Sequence, residues 1–143
     1  MSAACARRNG DPKVNDCILV DTDILIELSR GNQKVARQIA DWEKNVLVSV
    51  SDITWMEMMV GARNKQDLHA IEHCLRRFYR LPVTETISAK AVDLVRQYRL
   101  SHGLLIADAL IAATALTWHA RLATNNRRDF QYVEGLILVG ADS

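Results

Sequence analysis

The chain has 143 residues, of which 49% are hydrophobic and 24% are charged, with six glycines and two prolines. This composition supports one compact domain with a substantial core and excludes disordered and fibrous proteins. The formal net charge of +1 provides no global field for nucleic acid. A nucleic-acid partner would therefore need a local basic patch, metal ions or a second protein.

The first sixteen residues have no apolar signal-peptide centre and predict a flexible N-terminal arm, residues 1–16, before one domain, residues 17–143. The longest apolar stretch, from Leu104 to Trp118, is too short to span a bilayer. The cysteines are Cys5, Cys17 and Cys74. Their odd number and lack of metal-ligand spacing favour reduced thiols. Together these features predict a cytoplasmic protein.

Five short apolar runs predict β-strands. Cys17–Val20 is apolar at every position, which is typical of a strand buried on both faces of a sheet. The other four, in chain order, are Asn45–Val50, Leu81–Val83, Arg121–Thr124 and Leu136–Val139.

Apolar stripes at helical spacing predict helices between these strands. The stripes are Val35, Ile39 and Trp42; Leu68, Ile71, Leu75 and Phe78; and Ile87, Ala91, Leu94, Val95 and Tyr98. The last of these helices has a candidate cap at Thr84 or Thr86 and ends before Gly103. Alternating strands and helices indicate an α/β fold with helices on both faces of a parallel sheet.

Asp21 directly follows the first predicted strand. Ligands of such sheets bind outside the carboxyl ends of the strands, so this position makes Asp21 a candidate site residue. An aspartate here can also simply cap the following helix. Both interpretations remain open at this point.

Two further carboxylates lie in apolar surroundings. Glu57 lies in ITWMEMMVG (53–61), where its neighbours one helical turn away are Ile53, Val60 and Gly61. Asp108 lies in LLIADALIAATALTW (104–118), where the residues on its face are Leu104, Leu105, Ile111 and Ala112.

A buried carboxylate normally has a counter-charge or a metal ion, because burying it alone costs several kcal/mol. Neither stretch has a Lys or Arg one turn from the acid. A shared cation explains both acids, and a half-exposed Glu57 at a helix edge is the alternative. Oxygen ligands favour Mg²⁺ or Mn²⁺, and Mg²⁺ at a strand end indicates phosphoryl chemistry.

Four segments together resemble the PIN domain, and within it the VapC-type toxins of bacterial toxin–antitoxin pairs. They are DTDILIE (21–27), the Glu57 segment with Gly61, IADALIAATAL (106–116) and LATNNRRDF (122–130). The resemblance implies a three-layer α/β/α fold with a short central parallel sheet. It further implies a Mg²⁺-dependent endoribonuclease, with Mn²⁺ as an alternative, that cleaves single-stranded or looped RNA. A homodimer and a cognate VapB-type antitoxin that blocks the site are also implied.

Asp21, Glu57 and Asp108 match the three core acids of the family, and the resemblance assigns them to catalysis and to the metal. They would hold an ion that activates water for in-line attack, leaving 5′-phosphate and 3′-hydroxyl ends. Relatives often carry a fourth acid in a Thr-x-Asp motif, which here reads Thr124-Asn125-Asn126. Asn126 therefore occupies the acidic position, and one well-held ion is expected rather than two.

Asp129, three residues after Asn126, is the candidate for the missing catalytic charge. Asp23 occupies a position where relatives often carry Asn or Ser, and we expect it to cap the helix that starts there. The candidate substrate-binding residues are Thr124, Asn126, Arg127 and Arg128.

Basic residues in the third and fourth helices are further candidates for RNA contact, although a charge run is usually a solvated face. They are Arg63, Lys65, Arg76, Arg77 and Arg80. An antitoxin helix would dock around the second to fourth helices, on a surface carrying Trp42, Trp55 and the methionines. A basic antitoxin side chain would enter the carboxylate cluster and exclude the metal.

The sequence also offers three alternative functions. His69, Glu72 and His73 form an HxxEH pattern found in zinc proteases, but the helical stripe puts both histidines on the solvent side and no third ligand follows. A catalytically weak PIN-like scaffold is favoured only by Asn126. A DNA-directed nuclease uses the same metal–phosphate chemistry.

Overall fold

The computed structural model describes residues 16–140, so the predicted N-terminal arm lies outside the described residues except for Asp16. Five strands form one sheet: β1 (Cys17–Val20), β2 (Leu47–Ser51), β3 (Tyr79–Leu81), β4 (Arg121–Ala123) and β5 (Leu138–Val139). Their order is β3-β2-β1-β4-β5, and every neighbouring pair is parallel. The predicted short parallel sheet is confirmed.

Within residues 16–140, six α-helices connect or follow the strands: α1 (Thr22–Ser29), α2 (Gln33–Asn45), α3 (Asp52–Val60), α4 (Lys65–Leu75), α5 (Glu85–His102) and α6 (Ile106–Thr117). The cap of α5 is Thr84, whose side chain accepts a hydrogen bond from the Ile87 N–H. Gly103 ends that helix in the left-handed conformation, at φ 75°, which glycine adopts without strain.

Two separate cores lie on the two faces of the sheet, which gives the three layers. Leu19 and Leu122 face the core that contains α5 and α6, whereas Ile18, Val20 and Val50 face the core that contains α1 and α2. This alternation is what a strand buried on both faces produces. The α/β/α prediction is confirmed.

Strand and helix ends differ from the predicted ones for local reasons. β3 ends at Leu81 instead of continuing to Val83, because Pro82 has no N–H for the ladder. The helix α2 extends to Asn45, so β2 starts two residues later than predicted. Phe78 packs in the core but lies beyond the end of α4.

Of the cysteines, Cys74 is free, as predicted, and Cys5 lies outside the described residues. Cys17 is disulfide-bonded, so the prediction of reduced thiols is wrong at this position. Spacing along the chain does not determine which thiols meet in space. None of the helices in the described part of the chain is long and apolar enough to cross a membrane.

The chain changes direction across the sheet between β1 and β4. From β1, the chain adds β2 and β3 on one side, and later β4 and β5 on the other. Such a switch point leaves a crevice at the carboxyl ends of the two central strands, where α/β proteins bind ligands. Asp21 follows β1 and Thr124 follows β4, so both lie at this crevice.

Candidate active site

Asp21 lies at the centre of the switch point and is 5% exposed. It is the N-cap of α1: its Oδ1 accepts a hydrogen bond from the Thr22 N–H at 2.8 Å. Its Oδ2 accepts one from the Thr124 hydroxyl at 2.8 Å. Asp21 is thus a helix cap and also part of an acidic cluster, and the two interpretations of the sequence are compatible.

The pKa of Asp21 is raised to about 7. Burial is the largest cause and the negative charge of Asp23 is the second, with a smaller effect from Asp108. The hydrogen bonds from Thr124 and Thr22 act in the opposite direction. The two hydrogen bonds therefore lower the pKa of Asp21 by less than burial and the repulsion between carboxylates raise it.

Asp23 lies in the first turn of α1, and the prediction that it caps this helix is wrong because Asp21 occupies the N-cap. Its Oδ1 accepts from the Ile24 N–H at 2.8 Å and its Oδ2 from the Asn125 N–H at 2.9 Å. The second bond ties the segment after β4 to α1. Burial raises the pKa of Asp23.

Glu57 is exposed on α3, so the structure agrees with the alternative interpretation of the sequence, an exposed acid at a helix edge, and not with a buried acid. The residue one turn away, Val60, is 85% exposed, which shows that this face of α3 points outward. Glu57 nevertheless reaches the cluster, because its Oε1 accepts a hydrogen bond of 2.6 Å from the Thr22 hydroxyl. A threonine next to Asp21 thus orients the second acid.

Asp108 is half-buried in the first turn of α6. The helix begins at Ile106, so Leu104 and Leu105 precede it and do not share a helical face with Asp108 as predicted. Ile111 and Ala112, one turn later, are buried as expected.

The pKa of Asp108 is raised to about 6, first by burial and then by the charges of Asp129, Glu57 and Asp23. These electrostatic effects mean that the four acids lie near one another. The charge of Asp108 also acts on Asp21, so Asp21, Glu57 and Asp108 all lie near one another at the predicted edge of the sheet.

The residues after β4 differ in how deeply they are buried. Thr124 is fully buried and also accepts a hydrogen bond of 3.0 Å from the Asn126 N–H, so it contacts Asp21 from the interior. Asn126 is exposed. A short 3-10 helix, Arg127–Asp129, follows it and carries Asp129 close enough to raise the pKa of Asp108 more than any other charge.

Tyr132 is a neighbour of the site that sequence reasoning missed. Burial raises the pKa of its hydroxyl, with further contributions from the charges of Asp108 and Asp129. A single tyrosine in a loop gives no signal in the sequence. Thr22 was missed as well, although its position next to Asp21 could have indicated it.

The basic residues divide into two groups. Arg63, Arg77 and Arg80 form ion pairs with Asp67, Glu43 and Asp52 respectively. Arg127 and Arg128 are exposed on the 3-10 helix beside it, and Lys65 and Arg76 are exposed on or after α4.

Across residues 16–140, none of the clustered acids forms an ion pair with a Lys, Arg or His. Within this range, no three His, Cys, Asp or Glu side chains lie close enough together to coordinate one metal ion as they stand. The donors are carboxylate and hydroxyl oxygens, which suit Mg²⁺ or Mn²⁺. Mg²⁺ needs only one or two protein carboxylates because it keeps several waters, so these residues fit such an ion.

The predicted docking surface changes in part in the structure. Trp55 is buried in the core, so it is not part of an exposed docking surface, whereas Met56 is 51% exposed. A groove of about 290 Å³ lies between α1, α3 and α4, and its lining includes Leu25, Ile71, Cys74 and the largely buried Met58. His69 and His73 of the HxxEH pattern are exposed, as the helical stripe predicts.

Comparisons with known proteins agree with this geometry. The PIN domain family model matches residues 18–136. Ribonuclease VapC10 of Mycobacterium tuberculosis is 34% identical over 120 residues, covering 83% of this chain and 90% of the relative.

Two solved structures have a similar fold. A toxin–antitoxin complex from Klebsiella pneumoniae contains a chain with a TM-score of 0.73 and 31% identity, covering 87% of this chain and 97% of that one. A chain of VapBC2 from Rickettsia felis, in a complex with a DNA fragment from its promoter, has a TM-score of 0.76 and 23% identity. The match covers 87% of this chain and 98% of that one. This protein belongs to the PIN domain family and, within it, to the VapC ribonucleases.

Proposed function

We propose that this protein is a Mg²⁺-dependent endoribonuclease toxin, with Mn²⁺ as an alternative ion, that cleaves single-stranded or looped RNA. The observation that carries the proposal is the cluster of Asp21, Glu57 and Asp108, which has raised pKa values at two positions and no ion pair within residues 16–140. Such a cluster is unfavourable on its own at neutral pH and is stabilised by a cation. The similarity to ribonuclease VapC10 supports RNA as the substrate.

Asp21, Glu57 and Asp108 are the residues that would hold the ion, and Asp129 adds charge beside them. When bound, Mg²⁺ would neutralise charge on a backbone phosphate and acidify a water for in-line attack, leaving 5′-phosphate and 3′-hydroxyl ends. Thr124 keeps Oδ2 of Asp21 in place, and Thr22 keeps Oε1 of Glu57 in place. These hydroxyls restrict the carboxylates to one arrangement before substrate binds.

Arg127 and Arg128 would hold the RNA backbone, because they are exposed on the 3-10 helix that also carries Asp129. Asn126 precedes them and offers an amide to the substrate. Lys65 and Arg76 are more distant candidates. Arg63, Arg77 and Arg80 are weaker candidates, because each is paired with an acid of the protein itself.

A VapB-type antitoxin is the proposed partner, supported by the similarity to a chain of the Klebsiella pneumoniae toxin–antitoxin complex. The groove between α1, α3 and α4 is apolar enough to hold a helix of the antitoxin. A basic antitoxin side chain among the acids would compete with the metal ion. Excess Mg²⁺ should therefore weaken inhibition, and co-expression of the antitoxin should rescue growth that the toxin arrests.

We also propose a homodimer that acts in the cytoplasm, where its RNA substrates are. Val92 of α5 and Ile106 of α6 are 53% and 73% exposed and line one apolar cavity of about 360 Å³. An apolar surface of this kind supports association between two copies.

The test is cleavage of matched RNA and DNA oligonucleotides by purified protein in Mg²⁺, with Asp108→Asn as the inactive control and sequencing of the product ends. Cleavage of RNA with 5′-phosphate ends, lost in the variant, is expected. Preferential cleavage of DNA would indicate a DNA-directed nuclease. Metal binding without any cleavage would indicate a scaffold.

A further inference from the structure

The side chains of Tyr98, His102 and Tyr132 form an aromatic cluster at the edge of the core that contains α5 and α6. The ring of His102 stacks on that of Tyr132, with centroids 4.1 Å apart and planes 10° from parallel. Tyr98 lies 5.2 Å from Tyr132 and meets the edge of His102 at 5.9 Å. His102 is exposed, Tyr132 is half-buried and Tyr98 is buried, so the cluster leads from the core to the surface.

The chain path brings this cluster to the acidic residues. His102 is the last residue of α5, and Gly103 turns the chain so that α6 starts at Ile106. Asp108 is therefore only six positions after His102. From the other side, Tyr132 follows the 3-10 helix that carries Asp129, and the charges of Asp108 and Asp129 act on its hydroxyl.

Hydrogen bonds hold the cluster in place. The Tyr98 hydroxyl accepts from the Glu134 N–H at 3.1 Å, which fixes the loop that contains Tyr132. Arg99 donates to the Gly103 carbonyl at 2.9 Å and fixes the end of α5. The Ser101 hydroxyl lies 2.8 Å from Nδ1 of His102. The stack is thus arranged before any ligand binds, which lowers the entropy cost of binding.

An exposed aromatic face next to a phosphate site has the features of a base-stacking position. Unpaired nucleobases stack on aromatic rings, including histidine, whereas bases in a duplex are not accessible in this way. One face of the His102 ring lies against Tyr132, and the residue as a whole is exposed.

We propose that His102, stacked on Tyr132, is a base-stacking subsite that holds an unpaired nucleobase adjacent to the phosphate at the acidic cluster. The proposal rests on the proposed ribonuclease function and adds the requirement that the base beside the cleaved bond is unpaired. His102 binds substrate here and takes no part in the chemistry.

The test compares His102→Ala with His102→Phe, which keeps an aromatic face, and with His69→Ala, a matched exposed histidine on α4. The substrate is a short single-stranded RNA with 2-aminopurine near the cleavage position, because its fluorescence falls when the base stacks. Binding is measured in an Asp108→Asn background, and kcat and KM are measured in the active enzyme with Mg²⁺.

His102→Ala should raise KM and weaken binding about tenfold, the scale of one base–aromatic stack, and should abolish the fluorescence change. His102→Phe and His69→Ala should behave like the wild type, and kcat should stay constant throughout. Unchanged KM and fluorescence in His102→Ala, with RNA still cleaved, would overturn the subsite and leave the ribonuclease intact. Equal losses of kcat and melting temperature in His102→Ala and His102→Phe would assign His102 to packing. A wild type that neither binds nor cleaves RNA would overturn both proposals.

Discussion

The Thr124 hydroxyl donates a hydrogen bond of 2.8 Å to Oδ2 of Asp21, joining the ends of β4 and β1 at the switch point of the sheet. Both residues are buried, so water does not replace this bond if it is lost. The bond also lowers the pKa of Asp21 against the larger effect of burial. Thr124 thus keeps one site acid both in position and closer to its ionised form.

Thr124→Val should reduce cleavage about 10- to 100-fold, as expected for a partner that orients a metal-binding residue. Valine has nearly the same shape but no donor, so Oδ2 of Asp21 would lose its partner. The measurement is kcat/KM together with the Mg²⁺ concentration for half-maximal activity, which should rise. Thr114→Val is the matched control, because its hydroxyl bonds only to the Leu110 carbonyl of its own helix. Equal effects in both variants would remove the specific role of Thr124.

Without metal, the folded protein should lose stability as pH rises from about 4 to 7. The pKa values of Asp21 and Asp108 in the folded state, about 7 and about 6, lie above their usual value of 3.8. The folded state therefore binds more protons than the unfolded chain in this interval, and this favourable contribution disappears as the acids ionise. Thermal melts in EDTA across this pH range measure the effect.

Asp108→Asn should remove part of the stability loss that the metal-free protein shows as pH rises. In EDTA at pH 8 the variant should melt at a higher temperature than the wild type. The difference should disappear near pH 4, where the Asp108 side chain of the folded wild type is protonated and therefore as neutral as the amide of the variant. Cleavage should fall at least about 100-fold because the variant lacks a preorganised charge. Asp93→Asn, on the exposed face of α5, should change neither property. A variant that is less stable at pH 8 would assign Asp108 to the fold instead.

Asp129→Asn should weaken Mg²⁺ binding at least several-fold, because Asp129 exerts the largest charge effect on Asp108. Restoring the family's usual acid by Asn126→Asp in the same chain should recover part of that affinity. Isothermal titration with Mg²⁺ measures both changes. Metal affinity that is the same in wild type and Asp129→Asn would show that Asp129 acts outside the metal site.

The fold was predictable because its signals are local. CILV is apolar throughout and can only be buried on both faces, and the stripe from Ile87 to Tyr98 has a clear helical period. The ends of elements were less predictable, since they depend on single residues such as Pro82. Core burial of Trp55 and Met58 depended on how α3 packs, which the sequence alone does not specify.

The candidate site was predictable in its membership but not in its environment. Asp21 stood out because it directly follows a strand and Asp108 because it interrupts an apolar stretch, and both have raised pKa values in the structure. Glu57 also stood out because its surroundings are apolar, yet α3 exposes that face and Thr22 holds the acid. Long-range relationships such as Asp23 with Asn125 leave no pattern in the sequence.

The central claim is that the acidic cluster acts through a divalent cation, and reversible metal dependence tests it most directly. RNA cleavage by the purified protein is measured in Mg²⁺, in excess EDTA, and again after Mg²⁺ is restored, with melting temperature recorded in the same samples. Cleavage should disappear in EDTA and return with Mg²⁺. At about 100 times its dissociation constant, Mg²⁺ should stabilise the wild type by about 2.7 kcal/mol. The same addition should stabilise Asp108→Asn much less. Undiminished RNA cleavage in EDTA, with no Mg²⁺-dependent change in melting temperature, would contradict the claim.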